Sequence, residues 1–484
     1  MGTPGSLLIV AALAMSVLAG LLLSSLGESA PFIVLAVLGG LIVFRWPFAG
    51  LLLFTASIAV ENVFVLEGAS GATRASRVLG TAVFGGWFAG KLFRRESFHP
   101  LLTSALAITA LLFFVFAFAS TLWAEYPNPA RAGAIQMIQF IALGILVLDL
   151  ARTWKRVDLL VKALVIGAAL AAFLTLEQAL FGGHRRAGED IAGGLNETAT
   201  LLVTVIPLAF YLLRSENAWP WRVMGVAYIS LAVSATTLTY SRMNLLVLPL
   251  LLLFLCVDTL RGRRGRGWLI GTLCAGMAVL LYAVPMDRLG ERVETIVPYL
   301  QGTIGADDPS GVIQPSPRGY HIQLGLAIAR DNPIIGAGFR NYGHLFREDY
   351  QFLVPGAGGL YTSVRSPHSS HVGMLADLGL VGFGVWLALA LGVGFLGAFS
   401  AWIRTMRDPE GMPHLLARAI TVALGLQVLA YGWYTTIDRS KLLWLLLGLA
   451  VAIRLLTRVS FHDQGDSKAG APPAMSSPRS VPHG

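Results

Sequence analysis

Apolar positions run along this chain in long blocks and do not alternate with polar ones. Between short islands of charge lie runs such as Leu101–Leu122, Thr198–Leu213 and Asn244–Val257. A helix that crosses a bilayer needs about 20 mostly apolar residues, because each adds ~1.5 Å across ~30 Å of hydrocarbon. The pattern predicts about 14 such spans. They lie near 6–25, 31–44, 47–66, 78–93, 101–122, 132–150, 157–180, 197–213, 221–239, 244–260, 267–285, 369–399, 415–436 and 440–457. The second is short enough to be re-entrant. The run at 369–399 is long enough to tilt, or to begin outside the bilayer. No Lys or Arg precedes the first run, so it reads as a retained first helix and not as a signal peptide. The expected fold class is an all-α polytopic membrane protein of about 12–14 transmembrane helices.

One segment breaks the rhythm. Residues 286–368 form a long polar insertion between an N-terminal bundle, 1–285, and the C-terminal spans, 369–460. Gly302–Pro317 is rich in Gly, Pro, Ser and Asp and reads as loop. Arg318–Arg330 reads as a short helix stopped at Asp331-Asn332-Pro333, and 339–350 as a second amphipathic one. Val354–Pro367 is again rich in Gly and Pro. Residues 461–484 read as a tail, Pro- and Ser-rich from Ala469 onward and expected to be disordered. Long ordered loops on a membrane scaffold are usually functional.

Charge then orients the spans. With the N-terminus inside, the inner loops hold Lys91, Arg94 and Arg95, then Arg152, Lys155 and Arg156, then Arg261, Arg263, Arg264 and Arg266. The outer links are leaner, which places both termini in the cytoplasm and the insertion on the outer side. The same rule explains the net charge of +9, in a chain that is 55% hydrophobic and only 13% charged. A soluble chain carries roughly 25% charged residues, and no nucleic-acid partner is needed to account for the excess. Two cysteines, Cys256 and Cys274, sit in apolar runs and suggest neither a disulfide framework nor a metal site.

The chain contains no P-loop, HExxH, GxSxG or CxxC pattern, which argues against ATP hydrolysis and zinc chemistry. No cofactor is expected. What stands out is ionisable residues on the insertion side. Arg242 lies in the very short link Thr239–Asn244, where it is either functional or an anchor snorkelling to the headgroups. Arg318 opens the short helix. In Ser366-Pro367-His368-Ser369-Ser370-His371, where the insertion re-enters the bilayer, each His suits either proton transfer or packing. Asn196 begins a span whose free N–H groups favour anions, though capping explains it nearly as well. Arg340 and Arg365 add cations to the same side. Glu61 and Glu177 are expected to pair with arginines. Asp307-Asp308 offers a divalent cation little beyond solvated loop. Arginines hold phosphate bidentately and can take a leaving group's charge without a metal, and a nearby His can deprotonate an acceptor hydroxyl.

The ordered set of motifs resembles the O-antigen ligases and the related O-antigen and exopolysaccharide polymerases. The elements are Gly194-Leu195-Asn196 at a helix start and Ser241-Arg242 at a later link. Arg318 then opens a loop helix, followed by Pro333-Ile334-Ile335-Gly336-Ala337-Gly338. Last come His368, Asp377, Gly379 and Gly382. Ser369, Asp377 and Met243 stand where the family often has Asn, Glu and Gly. The resemblance implies an all-helical membrane glycosyltransferase fold of the GT-C-like kind. It implies Arg242 and Arg318 as pyrophosphate contacts and His368 as base, beside Asn196, Arg340, Arg365 and His371 as substrate-binding candidates. The implied donor is a glycan on undecaprenyl pyrophosphate, and the acceptor is either lipid A–core or a growing glycan. The motifs leave ligase and polymerase open, with the loop layout leaning to ligase. A transporter is the rival reading, but no convincing repeat is present and the polar candidates lie at one surface. A metal-dependent transferase with an acidic first outer loop would find only Glu28 there.

Overall fold

The computed structural model describes residues 44–63, 65–66, 73–182, 187–188, 191–192, 194–215, 218–261, 266–284, 289–290, 294, 317–350 and 366–469. The expected spans at 6–25 and 31–44 lie outside them. So do Arg365, Asp307 and Asp308, and most of the two Gly- and Pro-rich stretches. From residue 47 onward every predicted run is occupied by a helix. These are α1 Pro47–Ser57, α2 Ala75–Phe93, α3 Ala105–Ala119, α4 Pro127–Leu150, α5 Trp154–Leu180, α6 Leu195–Ser215, α7 Trp219–Leu238, α8 Arg242–Arg261 and α9 Arg266–Ala283. In the insertion come α10 Pro317–Asp331 and α11 Tyr342–Glu348, then α12 Ser370–Leu387, α13 Leu396–Arg404, α14 Met412–Gly425 and α15 Lys441–Ala469. The protein is an all-α, multi-pass membrane protein. Seven of its described helical stretches are long and apolar enough to cross a bilayer. The only described strands are a two-residue antiparallel ladder, Val65–Leu66 with Thr73–Arg74.

Local chemistry sets the helix starts. Pro47, Pro127 and Pro220 occupy first-turn positions, where a missing N–H costs nothing. The hydroxyls of Ser104, Thr153 and Ser369 cap α3, α5 and α12 by accepting a backbone N–H three residues on. Packing follows from which helices show apolar residues outward. On α3, Ile108, Leu111, Leu112 and Val115 are exposed, as suits a face turned to lipid. α6 is buried almost throughout and packs against α5, α7, α8 and α14 at the centre of the bundle.

Several charges inside the bundle are paired. Lys162 reaches Asp158 one turn away at 2.8 Å, and Tyr211 donates to the same carboxylate at 2.7 Å. Lys91 and the Trp87 indole converge on Asp149 at 3.1 and 2.6 Å. Arg214 and Arg418 share Asp258. All of these lie toward the end of the bundle opposite the insertion. Glu61 pairs with Lys441. Glu177 is exposed near the end of α5.

The long run after the insertion is not one continuous α-helix. Backbone at Gly379 turns to φ +63°, which splits α12 into two pieces, and residues 388–395 then form π-helical turns before α13.

Candidate functional site

The break in α12 organises the insertion. In an unbroken helix the N–H groups of Leu380 and Val381 would bond the carbonyls of Ala376 and Asp377. Here those four groups are taken up by the Pro333–Gly338 segment. Leu380 donates to Pro333 at 2.8 Å and Val381 to Ile334 at 3.1 Å. The Ala376 and Asp377 carbonyls accept from Ala337 at 3.0 Å and Gly338 at 2.8 Å. The two pieces of backbone lie so close that a Cβ on Gly379 would overlap Gly336 and Ile334, and one on Gly336 would overlap Asp377 and Leu378. The Pro-x-x-Gly-x-Gly motif is thus the complement of the helix break and not a simple turn.

Asp377 finishes the clamp. Its carboxylate accepts the N–H of Arg340 and the N–H of Tyr342, both at 2.7 Å, and so caps the start of α11 from another element. Arg340 is held at φ +59°. Its guanidinium packs on Gly133 of α4 and over the Phe339 ring, 5.6 Å from the centroid. Its Nε and Nη2 atoms are buried with no partner among the described residues. Burial, then the charge of Arg439, lowers this guanidinium to about 10, against an opposing pull from Asp438 and Asp377. It remains a cation at neutral pH, with two donor nitrogens unfilled among the described residues.

Two histidines stand beside this segment. His321 on α10 is buried, and its Nδ1 lies 3.0 Å from the Tyr342 hydroxyl. That hydroxyl donates to the His321 carbonyl at 3.0 Å, so the imidazole Nδ1–H donates to the phenol oxygen. The His368 ring meets His321 edge-on at 5.3 Å. His368 lies just ahead of the Ser369 cap at φ +52° and is half-buried. Tyr240 in the Ser-Arg link has φ +50°. Three of the four described non-glycine residues with positive φ therefore fall at or beside candidate site positions. Such backbone costs of order 1–3 kcal/mol each and collects at working sites.

A second polar group lies on α6, α8 and the end of α14. Ser241 donates to the Asn196 side-chain oxygen at 2.9 Å, Asn244 donates to Ser241 at 3.0 Å, and Tyr431 donates to Asn244 at 2.6 Å. Asn196 and the Ser241-Arg242 pair, 45 residues apart, are thereby joined. Arg242 opens α8, half-buried. The link after α14 ties this group to the insertion. Ser370 donates to Asp438 at 2.6 Å and accepts from Ile437 at 2.7 Å, while Arg439 acts electrostatically on Arg340.

Arg318 occupies the second position of α10; its side chain lies outside the described residues. His371 turns inward. Its Nε2 donates to the Val428 carbonyl at 2.8 Å and its Nδ1 accepts from Trp386 at 3.4 Å, with Trp433 edge-on at 4.9 Å. His321 escaped sequence reading, although it stands three residues after Arg318, on the same helical face. No group of three or more His, Cys, Asp or Glu among the described residues could hold a metal ion.

A groove of about 770 Å³ lies on the other side of the Pro333–Ala337 segment, lined by Trp123, Glu125, Asp331, Asp349 and Tyr350. Its described lining holds carboxylates and no Lys or Arg, which does not suit a phosphate. Residues 227–387 match the O-antigen ligase family model. The match spans Ser241-Arg242, α10, the clamp and His368. No curated protein matches the chain.

Proposed function

We propose that this chain, which carries the O-antigen ligase family domain in residues 227–387, is an inverting, metal-independent glycosyltransferase. It moves a glycan from undecaprenyl pyrophosphate to an acceptor hydroxyl on the periplasmic side of a bacterial inner membrane. The observation that carries the reading is Arg340: a buried cation with unfilled donors, fixed by the Asp377 clamp beside His321 and His368. His368 takes the acceptor proton and the freed oxygen attacks the anomeric carbon. The bond from that carbon to the pyrophosphate oxygen breaks, and its electron pair leaves with the pyrophosphate. Arg340, with Arg242 and Arg318, receives the charge that develops there. Attack opposite the leaving group inverts the sugar. Asn196 sets the Ser241-Arg242 link. Arg365 belongs with the donor-binding cations, and His371 supports helix packing and leaves the substrate to the others.

The acceptor is lipid A–core in the ligase reading, which the layout of the insertion favours, and another lipid-linked repeat unit in the polymerase reading. Single-turnover transfer from a labelled lipid-linked donor tests the mechanism. His368→Ala should keep donor binding and lose about 100- to 10,000-fold in rate; near-normal transfer would sink the base assignment. In cells lacking the protein, free lipid-linked chains of normal length mark a ligase, and single unpolymerised units mark a polymerase. An unchanged pool would overturn both.

A further inference from the structure

A second, smaller cavity lies among the ends of α1, α6, α14 and α15. Its volume is about 180 Å³, and its lining includes Glu197, Thr200, Gln427, Thr435, Arg439 and Lys441. Gln427 sits in a π-helical stretch, 426–430, that ends α14; such turns recur at functional sites. The residue is 1% exposed, yet its Oε1 has no partner among the described residues.

The orientation of that amide follows from the hydrogen bonds. The Thr204 hydroxyl spends its proton on the Thr200 carbonyl at 2.7 Å, so toward Gln427 it can only accept. The Gln427 Nε2 therefore faces Thr204, at 2.8 Å, and Oε1 is the amide atom left without a donor in the cavity wall. A buried acceptor with no donor marks the place where a ligand group or a water must supply one.

The remaining lining describes the ligand. Lys441 is held by Glu61 and Ser76, and Arg439 lies 3.7 Å from Asp438. Within the lining the two carboxylates, Glu61 and Glu197, balance the two cations, Arg439 and Lys441. Such a cavity gives a phosphate nothing to gain, in contrast with Arg340. It offers acceptors at Gln427 and Glu197 and hydroxyls at Thr200 and Thr435. We infer that the cavity binds one neutral, hydroxyl-rich sugar ring of a glycan substrate, with Gln427 Oε1 accepting from a ring hydroxyl. This rests on the glycosyl-transfer reading. The Asn196 network places the cavity beside the Ser241-Arg242 link, and Arg439 connects it electrostatically to Arg340, so the ring belongs to the donor or to the acceptor.

The test uses the full chain in nanodiscs, with donor and acceptor varied separately. Gln427→Leu keeps the bulk and removes the acceptor atom. It should raise the KM of one glycan substrate roughly 3- to 10-fold, the value of one neutral hydrogen bond. The other KM and kcat should stay within about twofold, and the melting temperature should hold. The KM that rises identifies the ring as donor or acceptor. Thr200→Val, a change in the wall alone, should raise the same KM and serves if Gln427→Leu misfolds. Both KM values unchanged in both variants would mean that water satisfies the amide, and the inference fails while the transferase stands. Loss of kcat together with melting temperature in both variants would assign Gln427 to packing and also overturn it. Wild-type protein that transfers nothing, but is protected against heat by a neutral methyl hexopyranoside in a Gln427-dependent way, would keep the cavity and remove the transferase.

Discussion

The two ends of the bundle differ in how their buried ionic groups meet. Away from the insertion, Asp149, Asp158 and Asp258 are each met by at least one cation, and Asp149 and Asp158 also by an indole or phenol donor. On the insertion side, two donor nitrogens of Arg340 and the Gln427 Oε1 have no partner among the described residues, beside residues held in left-handed backbone, whereas the Arg214 Nε left over at the first end belongs to a guanidinium that Asp258 already holds. A buried polar group without a partner is costly. The first end therefore reads as a set of ties between helices, and the second as a surface completed by something outside the chain.

The comparison breaks most sharply if the tied end is cut. Asp258→Ala leaves Arg214 and Arg418 facing each other without a counter-charge, and removing one member of a buried pair costs roughly 3–5 kcal/mol. The melting temperature in nanodiscs should drop steeply, while transfer per folded molecule holds. An unchanged melting temperature would mean that headgroups solvate both arginines.

At the other end the signs reverse. Arg340→Ala removes an unpaired buried cation, so melting should be unaffected or raised while transfer falls about 100- to 1000-fold. Arg340→Lys should be nearly as inactive, because an ammonium lacks the planar fork that grips phosphate. Transfer rescued by Lys would reduce Arg340 to a diffuse charge. The pH dependence shares this origin. The guanidinium titrates at about 10 in the fold, below its unfolded value. Donor binding should therefore fade as pH rises through about 10. The fold's own stability should gain over the same rise, because burying this cation opposes folding only while it is charged. Donor affinity that holds well above pH 10 would contradict the Arg340 contact.

The smallest effect sharpens the line between the ends within a single turn of helix. His371→Ala leaves the Val428 carbonyl and the Trp386 indole without partners, at about 1–3 kcal/mol of stability. Transfer per folded molecule should fall far less than in Arg340→Ala. A loss matching His368→Ala would bring His371 back into the chemistry.

Much of the molecule was legible in the chain itself. The helices from 47 onward stand where the apolar runs predict them, because spanning a bilayer is a local demand on length and polarity. Arg242, Arg318, Arg340 and His368 were visible as ionisable residues that neither span nor tail explains. Less legible were partners of one residue far along the chain. Glu61 meets Lys441, 380 residues away. His371 looked like the twin of His368, yet Trp386 and Val428 take both its ring nitrogens. His321 carried no motif and is recognisable only from the Tyr342 hydroxyl against it.

Residue type and spacing alone determine that this is a polytopic helical protein with a long polar insertion, and point to arginines and histidines on its side. Those properties are sums over neighbouring residues and need no knowledge of what packs against what. Tertiary structure alone decides that Gly379 breaks its helix and that Pro333–Gly338 fills the break. It also decides that Asp377 caps the segment carrying Arg340, and that Asn196 meets Ser241. Each of these is an exchange of hydrogen bonds between distant segments. A broken helix has four backbone groups to satisfy and many possible partners, and only the folded chain selects which segment arrives to meet them.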